Sequence, residues 1–113
     1  MDSEKLLSLI EDAVEAVDKL AIEYKQFNTE SEPISSTKKV LGLLKAAVEN
    51  DPQQISEIIF RAMHDVGMSS YKDFENTPVE KAIDDLIAFL YEEVSVYKRL
   101  EPLRTNFGKG NPI

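Results

Sequence analysis

The chain contains no cysteine and no tryptophan, and it has only one histidine and four glycines. Each scarcity removes a class of chemistry. Without cysteine there is no disulfide framework, no thiolate zinc or iron–sulfur site, and no thiol nucleophile. One histidine cannot serve a site that needs two imidazoles from one chain. The longest apolar run is the six residues 86–91, far below the ~20 that span a bilayer. The N-terminus, Met1-Asp2-Ser3-Glu4-Lys5, is acidic where a secretory signal is basic, so a cytoplasmic protein is expected. Positive charge is scarce too. Thirteen basic residues face 21 acidic ones, a net charge of −8, which argues against nucleic-acid backbones and anionic membranes as partners.

What is present is an ordinary globular composition, 42% hydrophobic and 30% charged over 113 residues. That length suits one hydrophobic core. Four segments carry a helical period and none alternates like a strand. In the first, 3–25, Leu6, Ile10, Ala13, Val17, Leu20 and Tyr24 recur at 4-3-4-3 spacing, and Glu11, Glu15 and Asp18 take the opposite face. Residues 28–36, with Pro33 and three serines, read as a polar loop. A second helix is expected over 37–49. Asn50-Asp51-Pro52-Gln53-Gln54 then reads as a helix stop followed by a capping box, with Asp51 starting a third helix that runs through Ile55, Ile58, Ile59, Ala62, Met63 and Val66 to a stop at Gly67. Thr77-Pro78-Val79-Glu80 is another capping box, opening a fourth helix expected to reach Leu100.

The expected fold is therefore all-α, a four-helix up-down bundle with two long helices (first and fourth) and two short ones (second and third). It occupies 1–101, and an irregular tail follows over 102–113. That tail carries Arg104 and Lys109 and no acid.

Candidate chemistry thins out on inspection. Di-iron bundles repeat a Glu-x-x-His spacing, but here Arg61 stands three residues before His64. His64 shares a helical face with Glu57 and Arg61, the setting of a solvated histidine. Asp84-Asp85 point about 100° apart on a helix, whereas general acid–base work needs carboxylates that converge. Glu93, at the edge of the apolar stripe, is the one carboxylate expected to be half-buried, beside Tyr97. Gly108-Lys109-Gly110 neither follows a strand nor opens a helix, so it lacks the setting of a phosphate loop. Asp65-Val66-Gly67-Met68-Ser69-Ser70 is similar to the carrier-protein signature Asp-x-Gly-x-Asp-Ser-Leu, and that resemblance implies Ser70 as a phosphopantetheine attachment point. Ser69 and Tyr71 depart from the signature, and Pro78 falls where its recognition helix runs.

No catalytic residue, metal or cofactor is expected on these grounds. The reading is a non-enzymatic protein–protein interaction or regulatory module acting through a helical face. Its acidity admits a basic protein partner, as an immunity or antitoxin-type neutraliser would have. The mismatch in helix length points to a homodimer. The partner-binding residues expected are Ile22 and Phe60, which lie off their apolar stripes, with His64 one turn from Phe60 and Phe107 in the tail. The competing reading is a ligand-binding or catalytic bundle with a pocket near Glu93 and Tyr97.

Overall fold

Four local start signals divide the chain into helices. Asp2 accepts the amide of Lys5 through its side chain (3.1 Å) and that of Leu6 through its carbonyl (3.1 Å), opening α1 (Ser3–Gln26). Ser31 caps α2 (Glu32–Asn50) by accepting the amide of Ile34, and Pro33 sits in the first turn, where its missing N–H costs nothing. Ser56 caps α3 (Glu57–Asp73) by accepting the amide of Ile58. Thr77 precedes α4 (Pro78–Glu93) but makes no side-chain cap. Its hydroxyl donates instead to the carbonyl of Phe74 at 2.7 Å, and Glu80 reaches back to the amide of Asn76. The turn closes at Asn76 with φ 61°, the left-handed conformation that asparagine tolerates best after glycine. These statements come from a computed structural model, which describes residues 2–26 and 31–94.

The helices form a ring in which α1 packs on α2 and α4, and α3 packs on the same two. Neighbours run antiparallel. Lys38 pairs with Asp18 at 2.8 Å and Lys45 with Glu11 at 4.0 Å, so seven steps up α2 are seven steps down α1. His64 stands edge-on to Tyr91 and Gly67 meets Ile87, which gives the same reversal between α3 and α4. Lys5 lies over the ring of Phe89 while Ala16 and Pro78 line one crevice, which sets α4 against α1. The all-α four-helix bundle expected from the period is the architecture observed.

Its core is continuous. Leu6, Ile10 and Val17 of α1 meet Leu41 and Leu44 of α2, Met63 of α3, and Ile83, Leu86 and Leu90 of α4. All are fully enclosed, and each such side chain stabilises the fold by about 1.5–3 kcal/mol relative to an exposed position.

Several boundaries differ from expectation. The second helix begins at Glu32 rather than 37, because Ser31 and Pro33 are a helix start and not a break. Asp51 closes α2 instead of opening α3. Its amide donates to the carbonyl of Ala47, and its carboxylate accepts the amide of Gln53 in the turn that follows. The third helix passes through Gly67 and ends at Asp73, with Phe74 as its cap. The fourth stops at Val94, whose backbone is extended (φ −119°, ψ 118°), short of Leu100. The tail 102–113 lies outside the described residues.

Candidate functional site

Of the residues expected to bind a partner, Ile22, Phe60 and His64 are among the described residues. Ile22 is 60% exposed on the outside of α1, as its position off the stripe requires. Phe60 is the correction: it is 7% exposed, a member of the core and not a surface anchor. His64, expected in solvent, is buried to the same degree and sets its ring 6.4 Å from that of Tyr91 at 84°. Both changes follow from a buried face that is wider than expected. Of the run Ile55, Ile58, Ile59, Ala62, Met63 and Val66, Met63 and Val66 are buried and Ile55 and Ile59 pack partly on the core, but Ile58 is exposed, and Phe60, His64 and Ser70 turn inward beside Met63. Phe107 and Tyr97 lie outside the described residues. Glu93 is exposed on the last turn of α4, so the half-buried carboxylate expected there is not found. Asp84 and Asp85 are exposed as well. Ser70 is fully enclosed within α3 and donates to the carbonyl of Gly67, so no carrier arm can attach to it. Among the described residues no group of three or more histidine, aspartate or glutamate side chains is placed to hold a metal ion.

On the same helix Ile58 is 78% exposed. Following the 3–4 spacing of a helix face from Ile58 gives Ala62, Asp65, Ser69 and Asp73, a single strip along α3. On α2 the corresponding strip is Pro33, Ser36, Val40 and Leu43, and Leu43 is 48% exposed. Residues from both strips line one cleft of about 470 Å³, together with Glu32, Thr37 and Val66. Leu43, three residues past Val40, and Ile58, four before Ala62, continue the two strips beyond one end of the cleft without lining it, and Glu32 and Asp73 line the other end. The floor is small and apolar. The lining carries three carboxylates, from Glu32, Asp65 and Asp73, and no basic side chain.

The other grooves of the ring are closed differently. Ion pairs from Lys38 to Asp18 and from Lys45 to Glu11 bridge α1 and α2. A hollow of about 690 Å³ at one end of that pair mixes Lys25 and Lys38 with Glu32. Between α1 and α4 the crevice is about 220 Å³, edged by Lys81 and Asp85. A 2.8 Å hydrogen bond from Lys81 to Asp85, with the attraction of the carboxylate, raises the lysine pKa above its ordinary value. Between α3 and α4 the helices touch at Gly67 and Ile87. No ion pair among the described residues crosses the α2/α3 groove. The charged residues that line its cleft, Glu32, Asp65 and Asp73, are all of one sign.

Leu43 and Ile58 were missed as surface residues. The spacing of Pro33, Ser36, Val40 and Leu43 was available as a signal, but only to a reading in which the helix starts before Pro33. Comparison with protein families, with curated proteins and with solved structures finds no match.

Proposed function

We propose that this protein is a non-enzymatic interaction module that receives a basic protein partner on the outer face of α2 and α3. One observation carries the reading: the α2/α3 cleft has a largely apolar lining whose charged members are all acidic, and the helix strips that line it run on to the exposed Leu43 and Ile58. Exposed apolar side chains are common singly, but two that continue the strips of one cleft add desolvated contact for a partner that extends past it. The carboxylates supply orientation and a faster encounter with a cationic surface. Two of the grounds for self-association are altered: Phe60 is in the core, and α2 and α3 are longer than the mismatch argument assumed, while Ile22 remains exposed on α1.

The test is comparative capture from the native extract with the full chain and with its Leu43→Asp/Ile58→Asp variant. The partner retained by the wild-type chain is then purified and titrated against both. The reading expects a loss of affinity of at least tenfold in the variant. A partner held equally well by both proteins overturns it.

A further inference from the structure

Resting on that reading, we infer that the segment of the partner seated in the α2/α3 groove is a cationic amphipathic helix of about four turns, lying along the bundle as a fifth helix. The shape argument comes first. A furrow between two packed antiparallel helices matches the ridge of a third, since side-chain ridges of one helix seat in the grooves of its neighbours. An extended strand would find no unpaired backbone edge here, because both flanking elements satisfy their amides internally. Length comes second. From Ile58 to Asp73 the α3 strip spans sixteen residues, about 22 Å at the helical rise, which is about four turns.

The chemistry of the lining fixes the pattern of the occupant. Ser36, Ala62 and Ser69 are small, so a helix backbone can come close along the middle of the groove. Val40, Val66 and Pro33 receive an apolar stripe, and Leu43 and Ile58, exposed one helical turn beyond the lining, are available to an occupant that continues past that end. Asp65 and Asp73 are eight residues apart on one strip, so the basic side chains that meet them recur at about every second turn. Glu32 stands across the groove at the Asp73 end, and that end therefore takes the more strongly basic terminus. Acidic groups on both walls exclude an anionic helix of the same shape.

Synthetic peptides test this directly on the full chain. An eighteen-residue leucine–lysine peptide with a helical apolar stripe is compared with a scrambled peptide of the same composition and with a leucine–glutamate version, by fluorescence anisotropy and by amide chemical-shift mapping. The striped cationic peptide should bind at least tenfold more tightly than the scramble, and shifts should concentrate on 33–43 and 58–73. Asp65→Lys/Asp73→Lys should weaken binding at least tenfold. An equal charge change at Asp12→Lys/Glu23→Lys on α1 should alter it less than threefold. The inference is overturned if the scramble binds as well, if both reversals weaken binding equally, or if the shifts fall on another face. Those results leave the interaction reading standing, because that reading is decided by the natural partner and the Leu43→Asp/Ile58→Asp variant.

Discussion

Gly42 and Gly67 both sit inside helices, and their surroundings are opposite. A Cβ added at Gly42 meets nothing within 4 Å, whereas one at Gly67 lies 2.9 Å from Cγ1 and 3.1 Å from Cδ1 of Ile87. Ile87 is enclosed and β-branched, so its χ1 has little room to yield. Alanine gains about 1 kcal/mol of helix propensity at either site. At Gly67 the overpacking costs about 1–3 kcal/mol and outweighs that gain. Urea unfolding should therefore find Gly42→Ala more stable by about 1 kcal/mol and Gly67→Ala less stable than the parent. Phe60 makes the second contrast at this scale. On a surface helix face Phe60→Asp would leave the monomer intact. In the core it buries a charge, and Phe60→Ala alone should cost about 3–5 kcal/mol. Circular dichroism should thus show Phe60→Asp largely unfolded at room temperature, while Ile58→Asp, at a 78% exposed position, keeps the parent spectrum.

Among the elements, α1 could be read almost completely from spacing, and so could the start and buried stripe of α4 as far as Leu90, because these stripes face the bundle axis. For α3 the period was legible and its phase only in part. Met63 and Val66 face inward as the spacing implies, but Ile58, which outweighs His64 and Ser70 on any hydrophobic scale, is exposed while they are buried. The helix lies between two neighbours, and Gly67 is there to let α4 approach. A glycine needed for close contact has the same letter as one that ends a helix. Serine caps were ambiguous in a related way. Asp51 had the stronger sequence signature, but Ser56 holds the amide of Ile58 at 3.2 Å and Ser31 that of Ile34 at 3.3 Å. The expected consequence is that Ser56→Ala and Ser31→Ala each cost about 1 kcal/mol in thermal or urea unfolding. Asp51→Ala, which loses only a turn contact to Gln53, should cost less than either. Recognising the face that α2 and α3 jointly present required both starts to be correct, which is why the candidate groove emerged only from the fold.

For the molecule as a whole, charge acts on stability and on binding with opposite signs. The net charge of −8 disfavours the compact state through self-repulsion spread over the surface. The attractive pairs are few and exposed, such as Lys19 with Glu15 and Lys81 with Asp85, and exposed pairs contribute about 0–1 kcal/mol each. Salt screens separations beyond about 10 Å at 0.1 M more completely than contacts of 2.8–4.0 Å. Sodium chloride therefore relieves the repulsion before it weakens the pairs. Raising it from 0.05 to 0.5 M should lift the unfolding midpoint of the free protein. The same titration should weaken a cationic helix in the α2/α3 groove, because its attraction to Glu32, Asp65 and Asp73 is made at an open surface. Calorimetric unfolding and peptide anisotropy on one salt series check both slopes. A rising midpoint with falling affinity is the expected pair. A midpoint that falls along with the affinity would mean that the exposed ion pairs, and not the excess of acid, dominate the electrostatics of this bundle.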